Sequence, residues 1–396
     1  MKKQKQKFIE NNEQLGLEYD WRKIKNEFNK LNIPDDVFNP VNVPLSVAKW
    51  FIELSDRSTG KTTNWILLGM VMNQLYGTQI QYIRQGDDDI APKSSKNLFS
   101  VILKYNYVSK ITENEYNSVT YNSRRWYFCN VDENGKIINK APEHFMFMAS
   151  VQSAENLKSS YNAPFGDLII FDEFITRYYM PNEFVLFCDL VKTIIRDRVS
   201  PIIVMLANTI DRHTQYFNEL NIYDSVQTLK KGESTILTTP KGTKVYVELI
   251  GSTPKKQTKR DRVNKLFFGF KNQNLASITG EDWAMNCYPH IPREKFTTLF
   301  NQLYLYHNNK YIRLEIVNNE KLGVCIYVHW ATYIYDDSII LTTVDRTDHR
   351  YLYKFGEGNL KKFIVKMYET NRFYYATNDI GSFFENYIRY CNKLKK

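Results

Sequence analysis

The sequence predicts an α/β domain with a parallel sheet, followed by a smaller α+β unit. Three observations predict it. The 396 residues exceed what one compact core organises, so two domains are expected. Over residues 46–218, short apolar runs alternate with segments of helical spacing, the pattern of a parallel sheet covered on both faces. After about Asn218, glycine, threonine and lysine become common and strand-and-turn patterns take over. With 43% hydrophobic and 15% aromatic residues, folded cores rather than disorder are expected.

Taken in order, residues 1–45 form a polar extension with a short amphipathic helix around Trp21–Leu31 that ends at "NIPDD". "AKWFIEL" (Ala48–Leu54) is a buried strand, "TTNWILLGMVMNQLYG" (Thr62–Gly77) a helix and "TQIQYIRQ" (Thr78–Gln85) a strand. Residues 86–143 are polar and irregular and read as an insertion. "HFMFMASV" (His144–Val151), "DLIIFDEF" (Asp167–Phe174) and "PIIVMLAN" (Pro201–Asn208) complete the strands, with a helix over Asn182–Arg198. Residues 219–298 read as a linker region of hairpins with the basic stretch "TPKKQTKRDRVNK", and residues 299–396 as an α+β domain in which Leu303–Asp345 holds three or four strands and two helices follow.

Charge is unevenly placed. Residues 1–250 carry 30 basic and 29 acidic side chains, whereas residues 251–396 carry 23 and 14. A positive excess at one end suits a polyanion such as nucleic acid, or simply a basic soluble domain. Lys255, Lys256, Lys259, Arg260, Arg262 and Lys265 concentrate that charge. Five cysteines without C-x-x-C spacing argue against a disulfide framework or a zinc site. The start, MKKQKQKFIENNEQ, has no apolar run and predicts no signal peptide. No stretch of 18 apolar residues predicts a membrane span.

The chemistry lies in two short stretches. "SDRSTGKTT" supplies Ser55, Asp56, Arg57, Ser58, Thr59, Gly60, Lys61, Thr62 and Thr63, close to the G-x-x-x-x-G-K-[ST] phosphate loop, with Ser55 in place of the first glycine. A strand precedes it and a helix follows, so backbone N–H groups and a helix N-terminus face the phosphates. Lys61 reaches the β- and γ-phosphates and the Thr62 hydroxyl takes Mg²⁺. "LIIFDE" ends an apolar strand in Asp172, suited to the metal's water shell, and Glu173, suited to polarising the attacking water. Both halves in this order predict an ATP hydrolase using ATP and Mg²⁺. Asn208 ends the next strand, where it either senses the γ-phosphate or begins a turn. Arg196 and Arg198 end a helix, where they serve either a neighbouring subunit's site or the helix dipole. Lys158 lies just before the Asp172 strand.

"SDRSTGKT", "QYIRQ", "LKSSYNAP", "LIIFDEFI", "MPNE", "TIIRDR" and "LANTIDRHTQYFNEL" together resemble the genome-packaging ATPases of phi-29-like podophages. The resemblance covers about residues 45–396. It implies an additional-strand P-loop ATPase domain joined to a ribonuclease-H-like domain without nuclease activity, in a ring that is pentameric in that family. It further implies double-stranded DNA as substrate, a capsid portal as partner, a structural packaging RNA in several phages of the group, and no membrane. The expected location is the host cytoplasm, docked on the portal vertex and absent from the mature virion. Carried onto this chain, Lys61, Thr62, Asp172 and Glu173 match the ATPase site, Arg196 the trans-acting finger, Lys158 a second basic residue acting across the interface, and Asn208 the coupling position. Asp87–Asp89 stand where a basic channel loop is expected, leaving Lys93, Lys96 or Arg177 as substitutes. Two other readings are a terminase-like protein with an active nuclease and a nucleotide-bound assembly factor that does not turn over. For a nuclease, Glu315 lies in the expected first strand "YIRLEIV", followed by Asp336, Asp337 and Asp345.

Overall fold

A computed structural model describes residues 19–55, 59–157, 165–176, 180, 182–208, 213–251, 266, 288–291, 293–344 and 346–392. The chain divides into two compact units. The first comprises Met1–Ile175, Asn182–Asn208 and Ser225–Val263, the second Thr176–Pro181, Thr209–Asp224 and Asn264–Lys396.

The first unit is built on a sheet of ten strands among the described residues. In chain order these are β1 (Trp50–Ser55), β2 (Ile80–Arg84), β3 (Ser118–Asn122), β4 (Arg125–Val131), β5 (Ile137–Lys140), β6 (Met146–Ser150), β7 (Leu168–Asp172), β8 (Ile202–Asn208), β9 (Glu233–Thr238) and β10 (Lys244–Leu249). They lie in the order β3-β4-β6-β2-β7-β8-β1-β10-β9, with β5 on β4. From β6 through β10 every neighbouring pair is parallel. Strand β8 therefore separates the strand that precedes the Gly-Lys-Thr loop from the strand that ends in Asp172, the additional-strand arrangement.

Helices cover both faces, as the unbroken apolar strands require. Helix α1 (Trp21–Asn29) is capped by Asp20, whose side chain accepts from the Arg22 and Lys23 N–H groups. Its Ile24 and Phe28 join one core with helix α2 (Lys61–Tyr76) and the facing residues Phe51, Tyr82, Met148, Ile170 and Val204. Gly69 of α2 faces Ile80 and Leu168 so closely that an added Cβ would stand 2.4 Å from Ile80 Cγ1, and the absent side chain lets the helix lie on the sheet. On the opposite face, Phe187 from α5 (Glu183–Ile195) stacks on Phe171 with ring centroids 4.6 Å apart.

Three expectations need correction. Residues 86–143 hold helices α3 (Ser100–Lys104) and α4 (Tyr107–Ile111) and the strands that widen the sheet. Their buried aromatics, such as Phe99 against Trp126 at 4.4 Å and Phe128 against Phe145 at 4.3 Å, fall at irregular spacings that show no period. The hairpin expected in a linker region is β9–β10, and β10 pairs in parallel with β1, so it completes the first sheet. Residues 19–45, expected to be an extension, pack into the same core.

Glu53 of β1 is completely buried. One oxygen accepts from Trp65 Nε1 at 2.8 Å, and the other has no hydrogen-bond partner among the described residues. Burial, ahead of the nearby Glu248 charge, pushes its carboxyl well above the ordinary range, although the Trp65 bond and Lys61 pull the other way. Folding therefore favours the protonated form. Glu53 supports stability in acid, and that support is lost as pH rises from the unfolded value, about 4.5, toward the folded one. Glu53→Gln should raise Tm by a few degrees at pH 8 and by clearly less at pH 5 in thermal melts. Equal shifts at both pH values would exclude the titration.

In the second unit the strands are β11 (Phe296–Phe300), β12 (Leu303–His307), β13 (Lys310–Asn319), β14 (Gly323–Trp330), β15 (Ile339–Thr342), β16 (Tyr351–Tyr353) and β17 (Phe373–Tyr375). Four of them, β12–β15, fall in Leu303–Asp345, where three or four were expected, and among the described residues the sheet runs β16-β15-β12-β13-β14-β17 with β11 on β13. Helices α6 (Gly358–Glu369) and α7 (Asn378–Asn392) cover one face, burying Phe383, Phe384 and Tyr387 against Leu303, Leu314 and Val328. The short edge strands were illegible because three residues carry no measurable alternation.

Candidate nucleotide site

The strands β7, β8 and β1 lie side by side, so their C-terminal ends bring Asp172, Asn208 and Ser55 to one edge of the sheet. Ser55 and Asn208 are register partners. Past β1 the chain turns at Gly60, which adopts φ +81° and caps α2. A side chain there would combine a left-handed backbone with a contact 3.3 Å from Val37 Cβ, so the glycine is required. The turn hands the N-terminus of α2 to the sheet edge, where its first N–H groups meet the site.

Lys61 and Thr62 open that helix and meet the strand ends. Lys61 Nζ donates to Ser55 Oγ, and Ser55 Oγ pairs with Thr59 Oγ1 at 2.8 Å. Thr62 Oγ1 donates to Asp172 Oδ1 at 3.0 Å. Asp172 also accepts from the Glu173 N–H at 3.1 Å and from the Tyr82 hydroxyl at 2.6 Å. Burial, then the Asp172 charge, pushes the Tyr82 hydroxyl far above its ordinary value, so it remains a proton donor to the carboxylate.

Glu173 has φ +54°, a left-handed residue at the strand end, and its side chain is half exposed. Its Oε2 takes the Arg84 guanidinium at 2.5 Å, and the same guanidinium stands 3.7 Å from Asp172 and 3.9 Å from Asp89. Arg84 and Tyr82 were not singled out as site residues, although their signal was present. "QYIR" places them two residues apart on β2, hence on one face, and β2 pairs directly with β7.

A cavity of about 1000 Å³ opens over these groups. Its lining includes Gly60, Lys61, Thr62, Thr63, Asp172, Glu173 and Asn208, a second wall being formed by Ile33, Pro34 and Val37 from the N-terminal segment and by Val101, Lys104, Tyr105 and Tyr107 from α3, its C-cap and α4. The N-terminal segment is strapped to the loop, since the Phe38 N–H donates to Thr59 O at 2.9 Å and Asn64 Nδ2 donates to Phe38 O. This second wall comes from the two regions read as an extension and an insertion.

The remaining expectations divide. Arg196 follows α5 as its C-cap, exposed and with φ +51°. Arg198, expected as a possible trans-acting group, is instead held within its own chain: it pairs with Asp167 and donates to Ile194 O at 2.7 Å. Asp87–Asp89 are likewise absorbed locally, Asp87 by Ser150 at 2.7 Å and Arg124 at 3.3 Å, Asp89 by the Gly86 N–H at 3.2 Å. Asp56, Arg57, Ser58, Lys158, Arg177, Asp345 and the basic Lys255, Lys256, Lys259, Arg260, Arg262 and Lys265 lie outside the described residues, as does the side chain of Lys96.

For the nuclease question, "YIRLEIV" is the third strand of the second unit among the described residues and not the first. Strand β12 precedes it, stands between antiparallel β13 and parallel β15, and carries no carboxylate. Its His307 is buried, bonds Asn386 at 2.8 Å, and is pushed down to about 4 chiefly by burial, so it is neutral. Glu315 is tied to His329 at 3.0 Å and Arg293 at 3.2 Å. Burial raises its carboxyl, but the His329 bond and the Arg293 charge outweigh that and hold it low. Among the described residues no three His, Cys, Asp or Glu side chains gather as a metal site.

No protein-family model and no curated protein sequence matches the chain. Solved structures do. The chain aligns with the Phi-28 gp11 DNA packaging motor at TM-score 0.52 and 15% identity, covering 91% of this chain and 99% of that one. It aligns with the bacteriophage Phi-29 viral genome packaging motor assembly at TM-score 0.53 and 15% identity, covering 90% and 99%. The chain has the packaging-motor fold. Both units take part in that likeness, since the coverage extends well beyond the first sheet. Among the described residues of this packaging-motor fold, no helix is long and apolar enough to cross a membrane.

Proposed function

We propose that the protein is the ATPase of a viral genome-packaging motor, hydrolysing ATP to drive double-stranded DNA through a portal into a capsid. The observation that carries this reading is the joined pair Thr62–Asp172, with Lys61 and Glu173 beside it, at the strand ends of an additional-strand sheet. A hydroxyl and a carboxylate oxygen in contact form a hard-donor set that fits Mg²⁺. Thr62 and Asp172 would hold the ion, which supplies charge neutralisation at the β- and γ-phosphates when bound. Lys61 and the α2 N-terminus bind the phosphates, Glu173 takes a proton from the attacking water, and Asn208 stands beside Ser55 where the γ-phosphate ends. Exposed Arg196 acts on a neighbouring subunit's nucleotide, which calls for a ring; we propose that the ring has five subunits and docks on a portal. The basic second unit supplies nonspecific phosphate contacts. Exposed Arg346 supports this, lying over the rings of Tyr306 and Tyr351.

Steady-state ATP hydrolysis with and without double-stranded DNA, beside Lys61→Ala, tests the reading. Stimulation by DNA of any sequence, lost in the variant, is expected. Hydrolysis absent in every condition, capsids included, would favour a nucleotide-bound assembly factor instead.

We place the base against the aromatic lining of the cavity. With the phosphates on Gly60–Thr63, the rest of the nucleotide extends toward Tyr105, whose ring is about half exposed beside Val101. Stacking of a base on an aromatic ring contributes about 1–3 kcal/mol. Tyr105→Ala should therefore raise KM for ATP roughly tenfold with little change in kcat, because the contact is the same in ground and transition states. A fall in kcat at unchanged KM would remove Tyr105 from the base subsite.

A further inference from the structure

A second cavity, of about 420 Å³, belongs to the second unit. It opens where β13 begins, at Lys310 and Tyr311, and where β14 ends, at Trp330; the two ends are neighbours, since Ile312 and Trp330 are register partners. The loop after β14 adds Tyr333, whose ring is 60% exposed. That loop is braced. Tyr335 lies under the Arg313 guanidinium at 5.0 Å, and Ser338 Oγ donates to Tyr335 O at 2.6 Å. Tyr333 and Tyr335 meet at 79° with ring centroids 5.1 Å apart, so neither ring is used up in stacking on the other.

Two cations stand beside these rings. Lys310 Nζ lies 4.0 Å from the centre of the Tyr223 ring, and its 3.5 Å contact with Asp224 is a solvated one, because that side chain is 94% exposed. Arg346 is exposed and lies 4.6 Å from the ring centres of both Tyr306 and Tyr351. Tyr306 is the register partner of Tyr311, and the Tyr311 and Tyr351 hydroxyls hydrogen-bond at 3.0 Å, so the rings that hold Arg346 adjoin the cavity. Arg313 and Arg350 are paired with Glu315 and Asp348, at 3.6 and 2.8 Å, whereas among the described residues no carboxylate pairs with Arg346. Aromatic rings around a hollow, with an ammonium and a guanidinium beside it, suit a planar ring that carries negative charge. The positive excess of residues 251–396 makes nucleic acid the matching polyanion. A duplex keeps its bases stacked on one another and leaves these rings idle, whereas an unpaired nucleotide offers a base and a phosphate together.

We propose that this cavity is a base-stacking site for an unpaired nucleotide of DNA or RNA, with the base against Tyr333 and the adjoining phosphates on Lys310 and Arg346. The inference rests on the reading that the second unit contacts nucleic acid. Fluorescence anisotropy of labelled oligothymidylate titrated with the full chain tests it, beside a duplex and a baseless oligomer of the same length. Tyr333→Ala should weaken single-strand binding about tenfold and leave the duplex and the baseless oligomer unchanged. Tyr333→Phe, which keeps the ring, should bind as the unmodified protein does. Arg346→Ala should lower the salt slope of single-strand binding by about 0.7. Oligouridylate in place of oligothymidylate identifies the source, and a Tyr333-dependent gain with either supports the site. An equal loss on all three oligomers in Tyr333→Ala would overturn the proposal, since the ring would then only shape its loop. Duplex binding without single-strand binding would overturn it too and leave the phosphate contacts standing. Failure to bind any nucleic acid would remove the reading of the second unit itself, and the base site with it.

Discussion

Glu173→Gln is expected to bind ATP as the unmodified protein does and to lose at least about 10²-fold in hydrolysis, the usual contribution of a positioned general base. The substitution preserves shape and the carbonyl that faces Arg84, so the 2.5 Å contact on the β2 strand can persist. It also leaves Thr62–Asp172 intact, and with it the donor pair proposed for Mg²⁺. What disappears is the oxygen that accepts a proton from water. The geometry separates the two acids clearly. Asp172 is buried and takes bonds from Thr62, Tyr82 and the Glu173 N–H, whereas Glu173 turns out of the strand at a left-handed residue and keeps half its side chain in the open cavity. Equilibrium binding of ATP beside single-turnover hydrolysis measures both quantities. Hydrolysis retained in Glu173→Gln would assign the base elsewhere.

Arg196→Ala should poison mixed rings. An arginine reaching a neighbour's nucleotide contributes about 10³–10⁵ in rate, so each variant subunit silences the site beside it. If the proposed five-subunit ring needs every site in turn, an equal mixture would retain roughly 3% of its packaging activity rather than half. Arg196 is exposed at the end of α5, two residues from Arg198, which makes Arg198→Ala the informative comparison. Arg198 is committed to Asp167, and Asp167 in turn accepts from Tyr19 at 2.5 Å, so its loss should lower Tm in the isolated chain instead of poisoning the ring. DNA packaging into capsids, titrated against the variant fraction, distinguishes the cases. A strictly proportional loss for Arg196→Ala would count against a role in trans.

Local order made much of this legible. A phosphate loop is a contiguous device, and so is an apolar strand ending in two acids, so "STGKT" and "LIIFDE" announce themselves without any tertiary knowledge. The same holds for α1, whose Asp20 cap and apolar spacing are written in adjacent residues. The cavity lining from outside the loop was hidden because its parts are non-contiguous. Val37, Val101 and Tyr105 lie in segments whose polarity suggests surface, and only the folding of α3 and of the N-terminal segment around α2 sets them across one cavity. Arg84 was hidden for a similar reason: its partners lie some ninety residues away on the neighbouring strand.

By itself the sequence determined strands β1, β2, β6, β7 and β8 with helices α2 and α5, the Gly-Lys-Thr stretch and the apolar strand that ends in two acids, and the concentration of positive charge in residues 251–396. Each depends on side-chain type and spacing within a dozen residues or on bulk composition. Tertiary structure decided the rest. It placed β8 between β1 and β7, drew β9–β10 into the first sheet, committed Arg198 and Asp87 to partners in their own chain, and set Ser55 within reach of Lys61. Strand neighbours and buried ion pairs are chosen by which surfaces can be desolvated together, a condition met only when the whole core closes.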